Sequence, residues 1–269
     1  MIKGSYKAKY PVQTVEKAID ILIFLKNHSS AKGLTLNEIS EGVNIGKSSV
    51  HRFLDTFLEY DFVEKSDDGI FYKLGWGAFE IGSDVPKYNG MDSEKISSYL
   101  KELSNYFGEI INIGIKSGNY MVIIKRFFPD KTSGNHKLIT NVNIGEREPL
   151  HCTGIGKLYL SEMDTKDALL IFESQKDMGI TETSIHDKDK FLNEIEQVRK
   201  NGYAIDNRES SDDVCCKAVP LRDYTGKIKA GISISVPAGR LSGEEIYKAA
   251  ERMKDSALIV SKSIGYAEN

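Results

Sequence analysis

The feature that most constrains this chain is an amphipathic segment over residues 47–60, KSSVHRFLDTFLEY. Its apolar residues recur at i, i+3, i+4, i+7 and i+8, which is the spacing of one buried helix face. They are Val50, Phe53, Leu54, Phe57 and Leu58. The opposite face opens with small hydroxyls and cations, and no acid precedes Asp55. The segment therefore predicts a helix that packs along one side and exposes a compact polar tip.

Shorter elements precede this helix. Apolar spacing predicts a first helix over residues 14–27. Its expected buried stripe is Val15, Ala18, Ile19, Leu22 and Ile23. A short second helix is expected to begin after Thr35, because Glu38 completes a capping box. Gly42 and Gly46 are then expected to supply the backbone angles of a tight turn.

A hairpin is predicted after the amphipathic helix. The runs FVEKS and IFYKLG are strand-like, and the Asp68-Gly69 pair between them is a strong turn signal. Helix, short helix, turn, longer helix and hairpin, in this order, predict a winged helix-turn-helix domain over residues 1–75. A linker helix is predicted over residues 76–90, and a chain of 269 residues favours a second domain over residues 91–269.

The second domain is predicted to belong to the α+β class, as an antiparallel sheet flanked by helices. Its β-branched runs predict strands at 110–118, 120–127, 136–142, 202–207, 214–223 and 227–237. Its helices are predicted at 93–107, 153–163, 165–174, 188–200 and 243–264. Ser242 and Glu245 form a capping box for the last helix.

The charge of the chain gives no general signal for nucleic acid. The net charge is −3, and residues 1–75 contain ten cations and ten acids. DNA binding must therefore come from local placement of charge, and in a helix-turn-helix the start of the second helix meets the base edges. The predicted DNA-contacting residues are Thr35, Lys47, Ser48, Ser49, His51, Arg52, Lys65 and Lys73.

These residues have distinct expected roles. Lys47 and the nearby helix amides suit a phosphate, and Ser48 and Ser49 are small enough to allow close approach to bases or phosphates. Arg52 suits a bidentate contact to guanine or a phosphate clamp. Two alternatives stay open from the residues alone: a merely solvated surface helix, and a winged helix that contacts protein.

Eight motifs cover nearly the whole chain in a fixed order. They are VQTVEKAIDIL, LTLNEIS, GKSSVHRFLDTF, FYKLGWGAFEIG, IGEREPLHCTGIGKLYL, NGYAIDNRES, CKAVPLRD and GISISVPAGRLS. In this order and spacing the chain resembles the IclR family of bacterial transcription regulators. The resemblance implies a winged helix-turn-helix, a linker helix and a C-terminal effector-binding domain similar to the GAF/PAS-like sensor fold. It also implies a homodimer, often paired into a tetramer, that binds operator DNA and responds to organic, sugar or aromatic acids.

The residues themselves indicate an effector site in the second domain. Gly154 and Gly156 stand where a loop enters a helix, so free amides there can approach an anion. Ser233 and Ser235 are two apart on a strand, so both point to one face and need polar partners. With the positions that the resemblance implies, the predicted effector-binding residues are Thr153, Gly154, Ile155, Asp206, Cys216, Ser233 and Ser235.

Several of these residues have ordinary structural alternatives. Cys216 can be a buried thiol, Asp206 can bond to turn amides, and the two serines can bond to neighbouring backbone. The chain also departs from the family, which usually reads Gly-Leu-Arg-Cys where this chain has residues 213–216. Asp213 replaces a glycine and Cys215 replaces a cation, which counts against a strongly anionic effector and leaves sugar derivatives and keto acids open.

Cysteine chemistry offers rival functions. Cys216 or Cys152 could be a nucleophile with His151 as base, these three with Cys215 could bind zinc, and Cys215 with Cys216 could sense oxidants. No C-x-x-C spacing and no orienting acid accompany them, so no enzyme activity, metal or cofactor is predicted. Three cysteines and the lack of an export signal or an apolar membrane span predict a cytoplasmic protein without membrane attachment.

Overall fold

The structure is a computed structural model that describes residues 8–28, 30–88, 90–130, 143–178, 180–238 and 243–267. The chain divides into two compact units, Met1–Met91 and Asp92–Asn269. The helices of the first unit are α1 (Gln13–Asn27), α2 (Leu36–Val43), α3 (Lys47–Glu59), α4 (Trp76–Ser83) and α5 (Val85–Tyr88). Its strands are β1 (Leu34–Thr35), β2 (Val63–Lys65) and β3 (Phe71–Leu74), in the sheet order β1-β3-β2.

The first unit has one hydrophobic core between its first three helices and its hairpin. The buried residues are Ile21, Leu25, Ile39, Val43, Val50, Leu54, Val63 and Tyr72. The apolar face predicted for α3 is confirmed, with Phe53, Phe57 and Leu58 packed against this core. The N-terminal helix-turn-helix is therefore present as predicted. The stripe predicted for α1 is wrong in part, because Ile21 and Leu25 are buried whereas Val15 and Ile19 are exposed.

The turn between α2 and α3 differs from the predicted one. Gly42 lies inside α2, and a Cβ atom there would lie 2.0 Å from Cζ of Phe24, so this glycine allows α1 and α2 to pack closely. The residue in the left-handed conformation is Asn44, with φ of 53°, which asparagine tolerates better than most residues. Gly46 has a φ of −57° and needs no glycine for its conformation.

The predicted hairpin is confirmed, with a longer loop than a two-residue turn. Val63 pairs with Leu74, and Lys65 pairs with Tyr72. The amide of Ser66 donates to the carbonyl of Phe71 at 2.9 Å, so four residues form the tip. The linker helix predicted over residues 76–90 is interrupted after α4, since Pro86 lacks the amide hydrogen that would continue it.

The second unit contains a six-stranded antiparallel sheet in the order β6-β5-β4-β9-β8-β7. The strands are β4 (Ile110–Ser117), β5 (Tyr120–Phe127), β6 (Arg147–Pro149), β7 (Ala204–Asn207), β8 (Val214–Arg222) and β9 (Ile228–Pro237). The helices are α6 (Glu94–Phe107), α7 (Gly154–Ser161), α8 (Thr165–Gln175), α9 (Lys188–Asn201) and α10 (Gly243–Ser263). The α+β class is confirmed. The three residues of β6 were not predicted, whereas the strand predicted at 136–142 and the Ser242 cap lie outside the described residues.

The sheet is covered on both faces. Alternate strand residues, including Ile113, Ile232 and Ile234, are buried on the side of α6 and α10. The other face carries Ser233 and Ser235, as predicted, and α7 lies on it with α9 packed behind. Polar side chains from α7 and from the sheet therefore line a common cavity between them. Among the described residues, no helix has the length and hydropathy needed to cross a membrane.

Candidate functional site

The start of α3 forms an exposed polar tip on the first unit. The exposed residues are Lys47, Ser48, Ser49, His51 and Arg52. Within the described parts of the chain, no hydrogen bond or ion pair occupies these side chains. Five of the eight residues predicted to contact DNA are therefore together on one surface, with their polar groups available.

The backbone at this tip adds to its attraction for anions. Gly46 caps α3 without a side chain, and its carbonyl accepts from the amides of Ser49 and Val50. The amides of Lys47 and Ser48 have no acceptor in the described chain, and the first turn of α3 contains no acid. Unsatisfied amides and the positive end of the helix dipole together suit a phosphate group.

The other three predicted DNA contacts are already engaged. The hydroxyl of Thr35 belongs to the capping box of α2, where it donates to Glu38 Oε2 at 2.8 Å. In the hairpin, Lys73 Nζ lies 3.1 Å from Glu64 Oε2, and Lys65 lies over the ring of Tyr72. These residues are consequently weaker candidates than the tip of α3.

A cavity of about 490 Å³ opens in the second unit between α7 and the sheet. All seven residues predicted to bind an effector line it: Thr153, Gly154, Ile155, Asp206, Cys216, Ser233 and Ser235. They come from α7 and its preceding loop, β7, β8 and β9. The fold thus brings residues that are far apart in the sequence to one polar space.

The floor of the cavity is a hydrogen-bonded network around Asn112, which is buried. Its Nδ2 donates to Ser235 Oγ at 2.9 Å and to Ser233 Oγ at 3.4 Å. Its Oδ1 accepts from Arg126 Nε at 2.9 Å. The two serines are therefore bonded to a side chain, and the alternative of neighbouring backbone partners is wrong. Sequence reasoning missed Asn112, although a single amide within the apolar run IINIGI was a usable signal.

The N-terminus of α7 lines this cavity. Thr153 caps the helix by accepting from the amide of Gly156 at 3.1 Å. The amides of Gly154 and Ile155 have no acceptor among the described residues. The side chain of Ile155 packs where Gly114 and Gly231 leave room, since a Cβ on either glycine would lie 2.8 Å from an Ile155 carbon. This paired glycine gap allows α7 to approach the sheet.

Acidic groups line the same space. Asp206 is buried and accepts from the amide of Glu209 at 2.7 Å and from both the amide and the hydroxyl of Ser210. It therefore holds the turn after β7 while also lining the cavity. Burial, together with the charges of Asp206 and Glu146, raises the pKa of Glu148 to about 8, against which Arg126 acts only in part. Glu148 was not among the residues predicted from the sequence.

Asp213 and Cys215, which differ from the usual family residues, were both expected near the effector cavity, and the structure places only one of them there. Asp213 lines the cavity, as expected. Cys215 does not, because neighbouring residues on β8 alternate and Cys216 faces inward. The thiol of Cys215 instead donates to Asn207 Oδ1 at 3.6 Å. The side chain of Cys215 is thus not part of the cavity wall.

The cysteine-based alternatives find little support. Burial raises the pKa of the thiols of Cys152 and Cys216, so neither is a ready thiolate. Burial also lowers the pKa of His151 to about 4. Throughout the described ranges, no group of three or more histidine, cysteine or acidic side chains is placed to hold a metal ion.

Comparison with known proteins agrees with the two-site arrangement. The family model described as "Bacterial transcriptional regulator IclR C-terminal" matches residues 93–262, and the "IclR helix-turn-helix domain" matches residues 14–67. The HTH-type transcriptional regulator XynR of Escherichia coli (strain K12) is 27% identical, and the match covers 95% of this chain and 98% of the relative. The HTH-type transcriptional regulator KdgR of the same strain is 29% identical, and the match covers 94% of this chain and 94% of the relative.

A solved structure supports the same conclusion. The IclR protein of Thermotoga maritima has a TM-score of 0.70 and 26% identity, with 94% of this chain and 99% of that chain covered. The family consists of transcriptional regulators that bind DNA and carry a C-terminal effector-binding domain, so the proposed thiol-dependent enzyme is unsupported. With both family models matched along most of its length, this chain belongs to the IclR family of bacterial transcriptional regulators.

Proposed function

We propose that this regulator binds an operator through the tip of α3 and that a small molecule in the cavity of the second unit controls its operator affinity. The observation that carries the proposal is that both polar sites are open. The α3 tip has cations and amides without partners in the described chain, and the cavity joins all seven predicted effector residues. A regulator of chromosomal genes would act in the cytoplasm, as expected from the sequence.

On DNA, the proposed contacts divide into positioning and recognition. Lys47 and the amides at the start of α3 would bind a phosphate, which fixes the helix in the major groove. Ser48, Ser49 and His51 would approach base edges without obstruction. Arg52 lies one helical turn further and would make the bidentate contact with guanine. Thr35, Lys65 and Lys73 would add backbone contacts once their present partners are exchanged.

The active form is proposed to be a homodimer or a dimer of dimers. Large apolar side chains on α1 and α4 face solvent, including Val15, Ile19 and Phe79, and Trp76 is 70% exposed. Such an apolar surface favours burial against a second copy. Two copies would present their α3 helices to half-sites about 34 Å apart. Sedimentation velocity of the full chain measures this state, and a monomer at working concentration would contradict it.

Effector control follows from a shift between dimer arrangements. A ligand changes their populations only to the extent that it binds one arrangement better than the other. The organic, sugar and aromatic acids implied by the family resemblance have a carboxylate that could accept from the amides of Gly154 and Ile155, which have no acceptor in the described part of the chain. Their hydroxyl or keto oxygens fit the network of Asn112, Ser233 and Ser235.

The DNA site is tested by footprinting on the region upstream of this protein's own gene. Lys47→Ala should weaken binding to all sequences similarly and reduce the salt slope by about 1. Arg52→Ala should cost about 1–3 kcal/mol and relax the preference at one base pair. The matched control is Lys188→Ala, which removes an exposed lysine from α9 in the other unit. Footprints that neither α3 variant changes would exclude α3 as the recognition helix.

The effector site is tested by repeating the footprint titrations with extracts of small acids from the host cell. We expect operator affinity to change by about fivefold or more with the active fraction, which corresponds to a coupling free energy of about 1 kcal/mol. Ser233→Phe should fill the cavity and abolish this response while operator affinity without ligand stays within twofold. A response that survives in Ser233→Phe would place the effector elsewhere.

A further inference from the structure

The cavity wall carries more acid than an anion-binding site needs. Among the described residues, five carboxyl groups line it: Glu146, Glu148, Asp206, Asp212 and Asp213. The cations that line it are Arg126 and Arg147. Arg126 is already bonded to Asn112, and Arg147 lies over the ring of Tyr120. A purely anionic ligand would therefore meet mainly carboxylates beyond the N-terminus of α7.

Glu148 is the carboxyl group best placed to bind a ligand. It is 8% exposed, it lines the cavity, and no side-chain hydrogen bond satisfies it within the described residues. Asp206 differs, because the turn after β7 already supplies its donors. A buried carboxyl without a donor costs free energy until a partner satisfies it. The amides of Gly154 and Ile155 are the complementary groups in the same cavity, since they are donors that have no acceptor among the described residues.

We propose that the effector is an amino-bearing acid, whose ammonium group pairs with the Glu148 carboxyl and whose carboxylate accepts from the amides of Gly154 and Ile155. This inference rests on the proposed effector site and narrows its ligand class. A keto or hydroxy acid would satisfy the amides of α7 but would bring Glu148 no positive charge beyond the partial effect of Arg126. An ammonium group supplies both the donor and the positive charge, and charge-assisted hydrogen bonds are the stronger kind.

The proposal also fixes the direction of the pH dependence. Glu148 is largely protonated at neutral pH, since burial raises its pKa to about 8. The charged groups that act on it are Arg126, Glu146 and Asp206, with the thiols of Cys152 and Cys216 nearby. Pairing with an ammonium group requires the carboxylate, so binding releases a proton. The affinity for the amino acid should thus increase as the pH rises from about 6 to about 8.

The test uses the full chain and matched sets of compounds on three carbon skeletons. The sets are alanine with lactate and pyruvate, glutamate with 2-hydroxyglutarate and 2-oxoglutarate, and 2-amino-2-deoxygluconate with gluconate and 2-oxogluconate. Thermal shift identifies binders, and calorimetry measures Kd at several pH values. We expect the amino member of at least one set to bind more tightly than its counterparts, with the stated pH dependence.

Two variants isolate the role of Glu148. Glu148→Gln keeps the size and polarity of the side chain but cannot ionise, and it should weaken amino-acid binding by about 10- to 100-fold. The control is Glu146→Gln at the exposed edge of the cavity, where solvent screening should limit the change to about threefold or less. Operator affinity without ligand should be unchanged in both.

Two results would overturn the inference. One is that an oxo or hydroxy member binds more tightly than the amino member of its set and that Glu148→Gln does not weaken its binding. If that compound also alters the footprint, the proposed effector site is retained and only the ligand class is wrong. The other is the lack of binding by every amino member. The Ser233→Phe titration judges the effector site independently of either result.

Discussion

Replacement of Lys157 by methionine should lower the free energy of unfolding of the second unit by about 3–5 kcal/mol. Lys157 is 1% exposed, yet its side chain ends in an ammonium group. Its Nζ lies 2.6 Å from Glu209 Oε1 and 2.9 Å from Glu194 Oε1, and donates to the carbonyl of Ile205 at 2.8 Å. Methionine preserves much of the volume, but it leaves the Glu209 carboxyl buried without its cation.

The pH dependence of this loss identifies its cause. Burial raises the pKa of Glu209 to about 7 even beside Lys157, and removal of Lys157 raises it further. A carboxyl group whose pKa is higher in the folded than in the unfolded state makes the protein less stable as the pH rises above the unfolded pKa of about 4.5. The loss of stability caused by Lys157→Met should accordingly be smaller near pH 5 than near pH 8. At pH 8 the Glu209 carboxyl group must either take up a proton or remain charged and buried without a cation.

Urea denaturation followed by far-UV circular dichroism measures the loss. Lys188→Met is the matched control, because it makes the same change at an exposed position, and it should stay within about 0.5 kcal/mol of the parent. Adding Glu209→Met to Lys157→Met should recover a large part of the stability, since an apolar pair no longer carries an unpaired charge. A loss under 1 kcal/mol at pH 8 for Lys157→Met would contradict this account.

The DNA-binding part of the fold could be predicted because its signals are local. The apolar repeat of α3 and the capping box of Thr35 and Glu38 each depend on residues that are close together in the sequence, and both are present in the structure. The buried face of α1 could not be chosen in the same way. Val15 and Ile19 are as apolar as Ile21 and Leu25, so composition does not show which pair is buried. The choice depends on how α1 packs against α2, where the ring of Phe24 lies against Gly42.

In the proposed effector site and the helix beside it, residues with a recognisable local pattern were predicted and residues with distant partners were missed. The pair Ser233 and Ser235 shares a strand face by simple alternation. Glu148 has no such signal, because its proposed role depends on the lack of a hydrogen-bond donor to it among the residues that the structure describes. Lys157 reads as an ordinary helix lysine in GIGKLYL, and its partner Glu209 is 52 residues away. Sequence patterns therefore predict elements better than buried electrostatics.

The geometry at the start of α7 supports a second large effect, for Gly156→Ala. A Cβ atom on Gly156 would lie 2.2 Å from the carbonyl oxygen of Leu150 and 2.5 Å from Thr153 Oγ1. Both obstacles are fixed, since the Thr153 oxygen caps the helix by accepting from the amide of Gly156. Helix α7 must move away from the loop at residues 150–153, and we expect a loss of about 3 kcal/mol, the upper part of the range for overpacking.

The control for this variant is Gly154→Ala, two residues earlier in the same helix. Its Cβ would meet the Cβ of Ala218 at 3.1 Å, which a small shift can relieve. We expect Gly154→Ala to unfold within about 1 kcal/mol of the parent. Because Gly156→Ala displaces the amides of Gly154 and Ile155, it should also abolish the ligand-dependent footprint. If Gly156→Ala retained both the stability of the parent and this response, the close contact between α7 and its preceding loop would not position the effector site.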